Sequence, residues 1–489
     1  MAVGGLYTSI IERVFPELFC RDAPQKPSEK LLQAIWYHQR IKRATLRTAT
    51  GEKLRVLHPG FWNCESGPDF KNAVIQFGGE KPVQGDIEID TRPSDWRSHS
   101  HESNPEYKNV ILHIVWEPPD LTDKSLHNIP TLYLQEHLES PLAILEDNVG
   151  VEPGVDIPVS IEGICARIFK KWNSEQIKTF LEHAALFRLE QKSVQITARA
   201  HDTGWEQALL ELLFRSLGYK NNIWPFQCIG ETCPYILEVK NGFQDVSSAE
   251  ALLLGVSGLL PDELPRVDKE NDNYIRALWD FWWRGRGALS DYILPSSVWK
   301  FSGIRPANHP QRRLALAARW LSDKQFFNKL RRWFDNNNKD YESLFLKLLM
   351  TTEDNYWNWH YTIKSKKLSS PKPLIGGERA TDIAMNVVLP WFLAIARFGR
   401  DSDAEKRTIN YYLNWSPGQD NSLLKLARKR FFGANDAVHI STAALQQGLI
   451  QIAKNFCENS DSLCSTCMLP YEISRTEFDK LLYETGKTA

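Results

Sequence analysis

The chain has 489 residues, 42% hydrophobic and 24% charged, with 17 Trp and 23 Phe. That length is too great for one compact core, so two or three domains are expected, and the composition excludes a largely disordered chain. The formal net charge of −1 excludes a global pull toward nucleic acid or membrane, so any such binding rests on local patches.

The N-terminal stretch MAVGGLYTSIIERVF lacks both a basic n-region and a clean apolar h-region, and no run of eighteen apolar residues follows. A cytoplasmic protein with no membrane partner is expected. Pro27-Ser28 followed by EKLLQAIWYHQRI reads as a helix start: Ser28 caps, and Leu31, Leu32, Ile35 and Trp36 form one apolar face. Glu29 then sits at the exposed beginning of a helix. LRVL (54–57) is a short strand, and HPGFWNCESGPDF is a Gly/Pro-punctuated loop leading into a second strand, NAVIQF (72–77). After the turn GGEKP, QGDIEID (84–90) is a third strand, with Ile87 and Ile89 on one face and Asp86, Glu88 and Asp90 on the other. PSDWRSHS starts like a capped helix, with Asp95 as cap and Trp96 as core anchor. NVILHIVW (109–116) suits a buried strand in which His113 is a satisfied core histidine, and TLYLQ (131–135) adds an edge strand.

Beyond residue 150 the texture changes. EPGVDIP (152–158) reads as a linker, and apolar residues then recur at helical spacing in 174–196, 205–219, 274–283, 312–323, 324–334, 378–397 and 436–456. The expected organisation is an α/β domain over 1–150, a helical domain over 151–340 and a second helical domain over 341–489 that ends in a cysteine cluster.

The chemistry concentrates between His58 and Glu117. Asp69 and Glu88 are nineteen residues apart, a spacing that a hairpin closes so that both carboxylates meet. Magnesium or manganese prefers a few such oxygens with water completing the shell. His99 and His101 read either as a metal-binding doublet, which with carboxylates suits manganese or zinc, or as loop histidines bonded to backbone near Trp96. For Asp69, Glu88 and Asp90 the plain alternative is a network bracing a loop against a strand.

This order of elements, with GPDF (67–70) followed by IEID (87–90), resembles the core of the PD-(D/E)xK phosphodiesterase superfamily, which includes restriction and recombination nucleases. The resemblance implies an α/β, restriction-endonuclease-like αβββαβ core followed by a mainly α-helical region. It also implies a metal held by Asp69 and Glu88, with Glu29 on the preceding helix assisting. The superfamily's water-positioning Lys falls at Asp90, which departs from the pattern. Either Lys71, His99 or His101 substitutes, or Asp90 is a further ligand, or the site is inactive. The motifs LHPGFWNCESGPDFKNAVI, GDIEIDTRPSDWRSHSH, YKNVILHIVWE, RPANHPQRRLA and NVVLPWF, with the final cysteines, are also similar to an uncharacterised bacterial domain-of-unknown-function family. That likeness brings no function.

Two further signals lie downstream. Arg305, Arg312, Arg313 and Arg319, then Lys329, Arg331 and Arg332, interleave with Trp320 and Trp333, and KLARKRFF (425–432) repeats the pattern. Such runs are either a solvated helix face or a grip on a phosphate backbone with stacking on bases. Cys457, Cys464 and Cys467 follow a C-x6-C-x2-C spacing, similar to the first three positions of the iron-sulfur loop of endonuclease-III-type DNA glycosylases; the fourth position is Ile473. A structural zinc or iron-sulfur cluster would take a fourth ligand from Cys20, Cys228, Cys233 or His439. The functional expectation is a metal-dependent nuclease acting through Asp69, Glu88, Asp90, Glu29 and His101. The alternative is a non-catalytic nucleic-acid-binding or scaffold protein with a degenerate core.

Overall fold

The computed structural model describes residues 5–15, 27–63, 66–99, 101–118, 128–139, 142, 145, 163–219, 222–240, 245–263, 269–336, 338–350, 356–433, 440–458, 464 and 467–475. The expected linker at 152–158, Cys20 and His439 fall outside them. Contacts divide the chain into two units, one of Met1–Val194 with Ile409–Ala489 and one of Gln195–Thr408. These boundaries differ from those expected at 150 and 340. Helix α1 (Leu6–Val14) shows the reason, because Tyr7, Ile10 and Ile11 are buried in one core with Leu445, Leu449 and Phe456. The C-terminal segment thus returns to the first unit, which helical periodicity along the chain does not reveal.

The first unit contains a mixed sheet of six strands, and the chain after it is helical. Ser28 caps α2 (Glu29–Tyr37), its hydroxyl accepting the Leu31 N–H at 3.3 Å, and Leu31, Leu32, Ile35 and Trp36 are buried. Trp36 donates its indole N–H to Pro59 O at 2.9 Å, fixing the helix to the loop after β1 (Leu54–His58). That loop contains a strand the sequence did not suggest, β2 (Phe61–Trp62), paired with β3 (Phe70–Phe77). Gly60 allows it: φ is +95°, and a Cβ there would lie 2.8 Å from Phe70 Cβ.

The sheet order is β1-β3-β4-β5-β6, with β4 at Val83–Asp90, β5 at Val110–Val115 and β6 at Thr131–Tyr133. β1, β3 and β4 pair antiparallel, whereas β4, β5 and β6 pair parallel. A parallel step needs a crossover. The single turn α3 (Asp95–Ser98) and a 3-10 turn at Pro105–Asn109 lie within it. β5 lies between β4 and β6 and is buried along nearly its whole length, which explains its unbroken apolar run.

The second unit is helical throughout its regular elements among the described residues. Its segment Gly377–Phe398 is long and apolar enough to cross a membrane by length and composition. Ile383, Val388, Leu389 and Trp391 of that segment are nevertheless fully buried within the protein, as in a core helix.

Candidate functional site

The site forms where β3 meets the C-terminal half of β4. The β3–β4 register shifts between Phe70 and Ala73, Asn72 takes the left-handed conformation at φ 59°, and its N–H donates to Asp86 at 3.0 Å. Asp86 therefore closes the bulge, while Glu88 and Asp90 lie further along the strand. Glu88 and Asp90 are buried, at 6% and 1% exposure, although their strand neighbours Ile87 and Ile89 fill the opposite face.

Three of the expected acidic residues meet. Gln33, one turn into α2 from Glu29, donates its amide to Glu29 Oε1 at 3.0 Å and to Asp69 Oδ1 at 2.7 Å. The second Asp69 oxygen accepts the Ile89 N–H at 3.0 Å, and the Asp69 N–H donates to Glu88 Oε2 at 3.1 Å. Crowding of anions away from water raises their proton affinity. Burial, then Asp69 and Asp90, push Glu88 above the usual carboxylate range. Burial, then Glu29, push Asp69 up against the stabilising bonds from Ile89 and Gln33. Partial burial, then Asp90, raise Glu29.

The histidines approach from the crossover. Asp95 braces it by accepting from Thr91 Oγ1 at 2.9 Å and from the Arg92 N–H at 3.0 Å, and Trp96 is buried as the anchor expected. His99 Nδ1 comes 3.4 Å from Asp90 Oδ1, and His101 Nε2 comes 3.1 Å from Glu88 Oε1. Donor atoms of Asp90, His99 and His101 all lie within 4.8 Å of one another. Behind them, His113 is fully buried, with Nε2 2.9 Å from Asp90 Oδ2. It is the core histidine expected, and its partner is a residue of the site. Tyr107 stacks on the His101 ring at 3.9 Å between centroids, and Trp96 meets that ring edge-on at 5.3 Å.

These residues fit a divalent cation. His101 is 8% exposed, and its Nε2 faces Glu88 Oε1 at 3.1 Å. Burial, partly opposed by Asp90, also lowers the proton affinity of His101 and favours the neutral form that ligates. Asp90, His99 and His101 offer one carboxylate and two imidazoles, with Glu88 beside His101, while Tyr107, Trp96 and His113 pack behind them. Asp90 thus stands among the donors, and Asp69 is engaged by Gln33 and Ile89. Gln33 and Tyr107 were not anticipated; a polar residue four positions after Glu29 on an apolar helix was the available hint for Gln33.

The other predicted residues lie elsewhere. Arg305 is exposed, but Arg312 and Arg313 are buried, at 1% and 4% exposure. Arg312 donates to the carbonyls of Trp357, Ala307, Lys372 and Pro373, and Arg313 to Leu374 O, Tyr219 Oη and Asn308 Oδ1. Trp320 and Trp333 are buried too. This overturns their expected role in gripping nucleic acid, because a guanidinium enclosed by carbonyls cannot reach a phosphate; the two arginines clamp the 357–374 segment. Cys457, Cys464 and Cys467 line one pocket together with Cys165, a residue outside the expected candidates for the fourth position. Cys228 and Cys233 belong to the other unit.

Over residues 29–421 the sequence matches the family described as "Protein of unknown function (DUF2851)". The chain belongs to that family. The matched segment begins at Glu29 and includes Asp69, Glu88, Asp90, His99 and His101, whereas Cys457, Cys464 and Cys467 lie beyond it. No curated protein and no solved structure matches the chain.

Proposed function

We propose that this protein is a divalent-metal-dependent phosphodiesterase acting on nucleic acid, with its chemistry at the C-terminal end of β4. The supporting observation is the meeting of Glu29, Asp69 and Glu88 through the Gln33 amide and the Asp69 N–H. The sequence resemblance to the PD-(D/E)xK core implies these same three residues as its acidic groups. Two imidazoles beside two carboxylates suit manganese or zinc better than magnesium. Asp90, His99 and His101, with Glu88 beside them, would hold such an ion, which would supply Lewis-acid stabilisation of a phosphoryl group and acidify water.

The chain's own groups divide the remaining work. His113 fixes the orientation of Asp90, and Gln33 sets the spacing of Glu29 and Asp69. Glu29 keeps a solvent-facing side and has a raised proton affinity, so it takes the proton released by the attacking water. Arg92, Arg97 and Lys108 are exposed on the crossover and provide cations for the phosphate backbone.

One observation favours the second reading, a non-catalytic nucleic-acid-binding or scaffold protein. Asp90, buried at the position of the superfamily's Lys, gives no positive charge to a developing transition state. Incubation with single- and double-stranded DNA and RNA plus magnesium or manganese, beside Asp69→Ala, Glu88→Ala and His101→Ala, separates the two. The catalytic reading expects each variant to lose activity by roughly 100-fold or more. Cleavage surviving both carboxylate substitutions sinks the site, and salt-sensitive binding without cleavage under any metal selects the second reading.

A further inference from the structure

Four cysteines from distant parts of the chain converge in the first unit. Cys457 lies in the widened helical turn Ala453–Glu458, Cys464 follows, and Cys467 precedes the helix Leu469–Arg475. Cys165 comes from the helix Ile164–Phe169 and is 5% exposed. All four line one pocket with Arg430 and Phe456. Gly163, at the start of the Cys165 helix, makes the approach possible. Its N–H donates to Arg430 O at 3.2 Å, and a Cβ there would fall 2.7 Å from that oxygen, so a larger residue would push Cys165 away.

Arg430 gives the second observation. It is 3% exposed and lines the pocket beside Cys457, yet Nη2 has no hydrogen-bond partner. A buried guanidinium with an unused N–H is costly unless a negative group lies beside it. Metal-bound thiolates are such a group, and N–H donors to sulfur are common around clusters.

The spacing of the sulfurs bears on the occupant. A single zinc holds four sulfurs about 2.3 Å from itself, hence about 3.8 Å from one another. Among the described residues, Asp90, His99 and His101 are the one group whose donor atoms all lie within 4.8 Å, so the cysteine sulfurs are more widely spread than one zinc would hold them. Structural zinc sites also usually draw their cysteines in two close pairs, whereas here one C-x2-C pair is joined by two single cysteines. We infer that Cys165, Cys457, Cys464 and Cys467 bind an iron-sulfur cluster, with Arg430 donating to its sulfurs. The cluster ties the C-terminal segment to the helix Ile164–Phe169, and it stands independently of the phosphodiesterase reading.

The test is expression with added iron and anaerobic purification of the full chain, Cys165→Ser and, as a control in the other unit, Cys233→Ser. Iron, zinc, acid-labile sulfide and absorption are measured on each. Wild type and Cys233→Ser are expected to carry about four irons and four sulfides per chain, with a broad band near about 400 nm. Cys165→Ser is expected to lose at least half of both. Zinc without sulfide in the wild type, no metal at all, or a fully loaded Cys165→Ser overturns the inference. Should Cys165→Ser fold poorly, alkylation of the native wild type decides: all four thiols are expected to be protected until the metal is stripped with acid and chelator, and a Cys165 that alkylates while the other three stay protected refutes its role.

Discussion

Replacing Glu88 with glutamine should stabilise the metal-free protein at neutral pH while removing much of its response to metal. In the folded chain, burial, Asp69 and Asp90 hold the Glu88 proton to a pH well above the ordinary value of 4.5. The folded state therefore binds more protons than the unfolded one across the intervening pH range, and stability falls as pH rises through it. Each pH unit in that window costs about 1.4 kcal/mol per group, so Glu88 alone removes up to about 3 kcal/mol at pH 7. Glutamine keeps an acceptor for the Asp69 N–H and offers an amide N–H toward His101 Nε2, without the charge. Thermal melts in chelator between about pH 7 and 8.5, above the range where the buried histidines His58, His183 and His309 titrate in the unfolded chain, should show wild type losing stability with rising pH and Glu88→Gln losing less. The two should differ by about 1–3 kcal/mol at pH 7.5, or several degrees in midpoint. Adding manganese should raise the wild-type midpoint far more than that of the variant. His58, whose buried imidazole is lowered to about 4, acts in the opposite direction: its contribution is present above pH 6.5 and lost as pH falls toward 4. It cancels in the comparison of variant with wild type. A wild type that gains stability with rising pH above about pH 7, or a Glu88→Gln variant weaker at every pH with an unchanged manganese response, would refute the reasoning.

Replacing His113 with phenylalanine leaves the fully buried Asp90 without its 2.9 Å partner. It should cost roughly 2–4 kcal/mol in denaturant unfolding and weaken manganese binding measured by calorimetry. Arg312→Ala should unfold at markedly lower denaturant, by about 3–5 kcal/mol, because it orphans carbonyls of the 357–374 segment; Arg305→Ala, exposed, should change stability by less than about 0.5 kcal/mol. Equal losses in the two would contradict the clamp. Gly60→Ala combines a left-handed φ with a 2.8 Å clash against Phe70, and should cost about 1–3 kcal/mol in the same assay.

Burial writes its pattern along each single element, and that much is legible in the residues alone. Ser28 ahead of Leu31, Leu32, Ile35 and Trp36 specifies where α2 starts and which face it hides, and Ile87 alternating with Glu88 specifies β4. The unbroken run around His113 announces a strand covered on both sides. Each pattern is local, because the period of a helix or strand repeats within a few residues. Which elements meet depends instead on packing between distant segments. Gln33 looks like any polar helix residue until β3 brings Asp69 to its amide. Arg312 and Arg313 look like surface cations until the carbonyls of 357–374 close around them, since charge in a sequence does not say whether water or backbone solvates it. Cys165 is a solitary cysteine in the sequence and becomes one of four only because its helix and the C-terminal segment pack into one unit. At residues 58–117 the local pattern brought Asp69 and Glu88 together across a hairpin, but packing turned Asp90 from a misfit at a lysine position into the residue on which His99 and His113 converge.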